Sequence, residues 1–224
     1  MGMHLQKLFA FILMVLIGVV FLYRQSIIQF IDEEVLGSKT INVETAFYVQ
    51  KLYSSYGDQV DVLAKEFDLP APYLKALIIL ESSADKEVDS RFEKHVYSDL
   101  QDVRSGKRRR YENITPKTIQ DASDGALKNL ASSWGPFQLM GYKCVLLNIN
   151  VADVRGEDSL YWGVKWIDMT YGNYLRQGKY QDAFHIHNTG SPYPKSGKPR
   201  THDPKYVDNG LAYIEAFSKQ ELSN

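Results

Sequence analysis

The stretch Ala71-Pro72-Tyr73-Leu74-Lys75-Ala76-Leu77-Ile78-Ile79-Leu80-Glu81-Ser82-Ser83 decides how this chain is read. Leu74, Leu77 and Ile78 stand seven, four and three residues before Glu81, the intervals that bring side chains onto one stripe of an α-helix. The spacing predicts a helix over residues 71–83 that carries a carboxylate on its apolar face. Ser82-Ser83-Ala84-Asp85 reads as the helix exit, so the negative end of the helix dipole lies beside that carboxylate. Desolvation and the dipole both disfavour the ionised form. A shift of about two units corresponds to roughly 2.7 kcal/mol and leaves an acid that can donate a proton near neutral pH. The same position also suits a glutamate that turns to solvent at a helix end.

Outward from this helix the punctuation stays helical. Apolar residues recur at helical spacing from Val43 to Ser55, and Val60, Leu63, Ala64 and Phe67 form a second stripe before Pro70. Thr115-Pro116 gives an N-cap followed by proline at the first helical position, and Ile119, Ala122, Ala126, Leu127 and Leu130 follow on one face. Ser159 to Leu175 reads as an aromatic-rich helix, and Asp203-Pro204 opens a last one through Val207, Leu211, Ile214 and Phe217. No alternating run is long enough to predict a strand, so the expected class is mainly α. Asp85 to Asn113 is densely charged and includes Lys107-Arg108-Arg109-Arg110, which reads as a solvated loop. Anionic lipid head groups, an acidic polymer or nucleic acid are the alternatives for that run, but one cluster in a chain of net charge −1 does not make a nucleic-acid binder.

The 224 residues fit one globular domain with an appendage. The appendage is the apolar run Leu8 to Tyr23, flanked by Lys7 and Arg24, with Ile27, Ile28, Phe30 and Ile31 able to extend it. It leaves through Phe21-Leu22-Tyr23-Arg24-Gln25 without a small-residue cleavage pattern, and so reads as a membrane anchor rather than a cleaved signal. The expected layout is a tail at 1–7, an anchor and exit at 8–31, a linker at 32–42 and a domain at 43–224. Cys144 is the only cysteine, which excludes an intramolecular disulfide and a Cys-based zinc site. His185 and His187 have neither a shared helical face nor acidic neighbours, so no metal or other cofactor is expected.

Two segments read as cleft walls. Ser133-Trp134-Gly135-Pro136-Phe137-Gln138-Leu139-Met140-Gly141 forces irregular backbone between aromatic rings and one amide; rings stack on sugar faces while an amide fixes hydroxyl or acetamido groups. The same segment also reads as a tight turn that packs Trp134 and Phe137 into a core. His185-Ile186-His187-Asn188-Thr189-Gly190 leaves a helix into a turn, and Tyr206-Val207 lies in the closing helix.

In this order, Glu81-Ser82, Gly135-Pro136-Phe137-Gln138-Leu139-Met140, His187-Asn188-Thr189-Gly190 and Tyr206-Val207 resemble the ordered motifs of the lytic transglycosylase and goose-type lysozyme superfamily. Arg91-Phe92-Glu93-Lys94-His95-Val96-Tyr97 with Ala131 to Gly141 is similar to the N-acetylmuramidase family of phage endolysins and bacterial wall enzymes. The resemblance spans roughly residues 70–218. It implies a helical lysozyme-like (SLT/goose-type) domain behind an N-terminal transmembrane helix, acting on the β-1,4 bond between N-acetylmuramic acid and N-acetylglucosamine in peptidoglycan. It assigns the acid role to Glu81 and puts Ser82, Trp134, Gly135, Phe137, Gln138, Met140, His187, Asn188 and Tyr206 along the glycan. Two positions depart from the pattern: the usual tyrosine before the asparagine is His187, and the small residue after it is Thr189. A cationic His187 would lower the pKa that acid catalysis needs.

Glycoside hydrolysis usually calls for two carboxylates. Glu93 leads for the second role, with Asp85, Asp89 and Asp99 behind it; a structural Glu93 that orients a neighbour is the alternative. The expected partners are peptidoglycan strands, the lipid bilayer and an envelope-spanning complex, at a bacterial cytoplasmic membrane with the domain facing the wall, or from a phage-encoded lysin. A tethered peptidoglycan-binding module without catalysis is the competing reading.

Overall fold

The computed structural model describes residues 43–221. The expected anchor and linker lie outside the described residues, and among these no helix is long and apolar enough to cross a membrane. The described residues belong to one compact unit, and it is mainly helical.

Helix α1 (Val43–Tyr56) buries Val49, Leu52 and Tyr56, three and four residues apart, and α2 (Gln59–Glu66) buries Val60 and Ala64. Helix α3 (Ala71–Ser82) starts behind Pro70 and ends at Ser83, whose left-handed backbone returns its N–H to the Ile79 carbonyl. The spacing predicted one apolar face, but α3 is buried on nearly every side. Tyr73, Leu74, Ala76, Leu77 and Ile78 have no exposed surface, and each large aliphatic side chain among them contributes roughly 1.5–3 kcal/mol by leaving water. Even Lys75 is covered, with its ammonium 2.8 Å from Asp61 Oδ1 of α2.

The charged stretch after α3 contains more order than its composition suggests. Strand β1 (Arg91–Phe92) leads into α4 (Lys94–Arg104), while Lys107 to Arg110 form an exposed loop. The helix expected from Pro116 onward is two helices. Helix α5 (Pro116–Ile119) stops after one turn, and α6 (Asp124–Leu130) restarts where Ser123 Oγ accepts from Ala126 N at 3.1 Å. Ser123 is an N-cap inside an apolar pattern that continues across the break.

No strand was predicted, yet β2 (Ser132–Trp134) pairs antiparallel with β1 through Arg91↔Ser133, and with β3 (Leu139–Met140) through Ser133↔Met140. Strands of two or three residues are too short to show a period of two. A 3₁₀ turn (Gly141–Lys143) and the short helices α7 (Cys144–Leu147) and α8 (Val151–Arg155) follow. The chain closes with α9 (Ser159–Arg176), α10 (Tyr180–Thr189) and α11 (Tyr206–Glu221). Helix α11 begins later than Asp203-Pro204 suggests, because Asp203 Oδ1 takes the Lys205 N–H at 2.8 Å in a preceding turn.

Two apolar clusters result. The larger joins α1, α2, α3, α9, α10 and α11; the smaller gathers Val96, Leu100, Val103, Ile114, Ile119, Leu127, Ala131 and Tyr142 around α4 to α6. Phe137, in the β2–β3 turn, belongs to the larger one and lies flat on α9 at Gly163. A Cβ added at Gly163 would come within 2.3 Å of the Phe137 ring. Gly163→Ala should therefore lower stability by about 1–2 kcal/mol in a urea melt, because overpacking outweighs the ~1 kcal/mol gained in helix propensity. A more stable variant would contradict this packing.

Candidate functional site

Glu81 is the last charged residue of α3, one turn beyond the buried Leu77 and Ile78. Its side chain is 16% exposed. The Tyr206 hydroxyl of α11 donates to Glu81 Oε1, and the exposed Arg91 of β1 lies close enough to favour the anion. Burial outweighs both and pushes the carboxyl pKa up from 4.5 to about 7.

His187 Nε2 stands 3.7 Å from Glu81 Oε1, beyond hydrogen-bond range. It is 3.1 Å from the Phe137 carbonyl, which can only accept, so Nε2 carries the proton and donates it there. Nδ1 then accepts from the Tyr171 hydroxyl at 2.7 Å, and Tyr73 donates to Tyr171 at 3.5 Å. With both ring nitrogens satisfied in the neutral form, burial first and the Lys143 cation second hold the His187 pKa down at about 4, against the opposing pull of the Phe137 carbonyl. The condition that would lower the Glu81 pKa, a cationic His187, is therefore not met near neutral pH, where the imidazole is uncharged. His187 is a spacer that shields the carboxyl.

Tyr171 reaches His187 because α9 bends there, with φ −142° and ψ 17° at Tyr171 itself. The Thr170 hydroxyl donates to the Trp166 carbonyl at 2.6 Å and competes with the backbone ladder, a known cause of helix bending. The sequence marks this helix as aromatic-rich but carries no signal for which tyrosine meets His187, since the contact depends on the bend.

A cleft of about 560 Å³ opens beside this cluster, between residues of the two apolar clusters. His187, Asn188, Thr189 and Gly190 line one side, Gln138, Leu139 and Met140 another, and Tyr111, Glu112 and Tyr142 the side of the smaller cluster. Glu81 itself is not among the lining residues; His187, which is, stands 3.7 Å from it. A wider hollow at the α1–α2 turn holds none of the candidate residues.

Several candidates sit differently from expectation. Phe137 is buried, and its role in the cluster is its carbonyl rather than its ring. Ser82 is buried too, with its hydroxyl bonded to the Ile78 carbonyl at 2.8 Å, so it braces the helix end. Trp134 is half-buried; its indole N–H donates to the Asn129 carbonyl at 2.9 Å and Arg155 covers its ring at 5.4 Å. Gly135 has φ +69°, and a Cβ there would meet the Val154 carbonyl at 2.8 Å, so the turn accepts glycine alone. Gln138 is held at φ +47°, accepting from Ser133 Oγ at 2.6 Å and donating to the Gly135 carbonyl at 3.1 Å.

Glu93 occupies the N-cap position of α4 without a side-chain capping bond, with Arg91 Nε 2.9 Å and His95 Nδ1 3.6 Å away. Asp85 pairs with Lys51 at 2.7 Å, and Asp99 pairs with Arg108. Thr189, the second departure, ties its hydroxyl to the His185 carbonyl at 2.8 Å. His185 accepts from Arg200 N at Nε2, 3.1 Å, and donates from Nδ1 to the Ser191 carbonyl at 2.6 Å. Both nitrogens fasten the 191–200 loop and leave none for a metal.

The two shifts carry opposite pH dependences. Glu81 keeps its proton in the fold up to about pH 7 but loses it in the unfolded chain at 4.5, so it makes stability fall across that window, by about 3 kcal/mol in all. His187 stays neutral in the fold down to about pH 4 but charges in the unfolded chain at 6.5, so it makes stability fall as pH drops between those values. The two nearly cancel between 4.5 and 6.5. In Glu81→Gln the His187 slope should stand alone, with stability rising across that range and the gain over wild type growing to about 3 kcal/mol by pH 8. A gain independent of pH would contradict the assignment. Tyr206→Phe should raise the Glu81 midpoint further, as a carbon-13 carboxyl titration reads it.

No family model matches the chain, and no curated protein matches it. Among solved structures, the crystal structure of Burkholderia AP3 phage endolysin is similar, with a TM-score of 0.49 and 19% identity over 71% of this chain and 70% of that one.

Proposed function

We propose that the domain cleaves the β-1,4 bond between N-acetylmuramic acid and N-acetylglucosamine in peptidoglycan, with Glu81 as the general acid. The observation that carries this reading is a desolvated carboxyl whose pKa is raised to about 7, held by Tyr206 and flanked by a neutral imidazole at the edge of a cleft. Glu81 gives its proton to the bridging oxygen as the C1–O bond breaks. The resulting carboxylate then takes a proton from the nucleophile that closes on C1.

That nucleophile is the muramyl 6-hydroxyl or a water. Of the four candidates for a second carboxylate, Glu93, Asp85 and Asp99 are engaged with cations and Asp89 is an exposed residue outside the cleft lining, which favours Glu81 acting alone, first as acid and then as base, and so a 1,6-anhydro product. The binding-only reading draws on the altered His187-Asn188-Thr189-Gly190 motif, and a neutral imidazole at His187 is compatible with acid catalysis by Glu81. The anchor and exit at 8–31 complete the proposal as a tether that confines cleavage to the wall nearest the membrane.

Purified sacculi incubated with the full chain should release muropeptides one water lighter than hydrolysis products, read by mass spectrometry. The rate should decline as pH rises through about 7. Glu81→Gln should lose roughly 10²–10⁴-fold in rate while keeping its fold. Normal release by that variant would overturn the assignment. Reducing ends would make water the nucleophile, activated by Glu81 or by a second carboxylate, of which Glu112 is the one lining the cleft.

A further inference from the structure

Resting on the reading of the cleft as a glycan groove, we propose that its Lys143 and Trp166 end binds a carboxylate on the muramyl substituent, so that the protein selects the acidic sugar by charge as well as by shape. Lys143 ends the 3₁₀ turn and is wedged between two rings, with its ammonium 4.9 Å from the Tyr142 centroid and 5.5 Å from that of Trp166. Its side chain is 22% exposed, and its contact with Glu112 Oε2 is 3.7 Å, too long for a hydrogen bond. An ammonium with three protons to give stands in the cleft, paired only loosely with the exposed Glu112 carboxylate at 3.7 Å, which leaves its protons free for a closer anion.

A second group points to the same ligand class. Trp166 is 6% exposed and lines the cleft, and its indole N–H is buried with no acceptor. A buried donor without a partner is rare enough to need a reason, and an indole can only donate. The neighbouring groups do not compete for this role. Thr170 spends its proton on the Trp166 carbonyl, and His187 spends its own on Phe137. Lys143 and the Trp166 N–H can only donate, and an anionic oxygen is the group that accepts best from a cation and an N–H together.

The hydroxyl and acetamido groups of the glycan are neutral. The carboxylates of the polymer sit on the lactyl group of muramic acid when it is bare, and on the peptide stem when it is substituted. Both present the same chemistry to Lys143. Flat rings beside the ammonium keep water from one side of it, and a cation held this way exchanges hydration for a carboxylate at lower cost than one free in solution.

Titrations of the full chain with three disaccharide probes, followed through indole N–H resonances, test the site. The Trp166 signal is identified by its loss in Trp166→Phe. The probes are N-acetylglucosaminyl-N-acetylmuramic acid with a free lactyl carboxylate, its uncharged lactyl methylamide, and the same disaccharide carrying an alanyl-glutamyl stem. At least one carboxylate probe should bind roughly tenfold more tightly than the methylamide and move the Trp166 resonance. Which of the two does so names the source of the carboxylate. Lys143→Met should abolish the difference. Equal binding of all three probes, or a preference that survives Lys143→Met, would overturn the site. Cleavage of sacculi with no such preference faults this site alone, whereas the preference without cleavage faults the proposed reaction and leaves the site standing.

Discussion

The site depends on one constraint: the imidazole next to Glu81 has to be neutral. A carboxyl desolvated between α3 and α11 holds its proton to about pH 7 only while no cation faces it at short range. His187 meets that condition because the Phe137 carbonyl takes its Nε2 proton and Tyr171 occupies Nδ1. The Phe137 carbonyl is fixed in turn by a ring buried against Gly163, and the Tyr171 hydroxyl by the bend that Thr170 introduces in α9. Packing in the larger cluster and the charge state of the site are therefore linked through two side chains that never touch Glu81.

Tyr206 sets the opposite limit. Its hydroxyl stabilises the carboxylate form, so the Glu81 pKa settles near neutrality instead of climbing as far as burial alone would carry it. A group meant to lose and regain a proton in one cycle works best when neither form is strongly favoured. The same balance keeps the destabilisation from ionised Glu81 moderate, and His187 offsets its pH dependence over the mildly acidic range.

Much of the scaffold was legible in the residues. The spacing of Leu74, Leu77 and Ile78 placed Glu81 at the end of a buried helix, and Thr115-Pro116 and Ser159 marked helix starts close to where they occur. The unread parts share a cause. Strands β1 to β3 are too short for periodicity and exist because Arg91 and Phe92 meet Ser133 and Ser132 across about forty residues of chain. The break at Ser123 hides inside a continuing apolar pattern. Within the site, Gln138 lines the cleft and Tyr206 bonds Glu81 from a buried position, whereas Ser82 and Phe137 turn inward because helix capping and core packing have first claim on them. Tyr171, Lys143 and Trp166 act through contacts that only the folded chain creates, and composition gives no hint of them.

A carbon-13 titration of the Glu81 carboxyl in the full chain, with His187 ring resonances followed in the same samples, bears on this account most directly. The account predicts a carboxyl midpoint near 7 and an imidazole that stays neutral, as its Nε2–H tautomer, down to about pH 4. A carboxyl midpoint near 4.5, or a His187 that charges near 6.5, would contradict it.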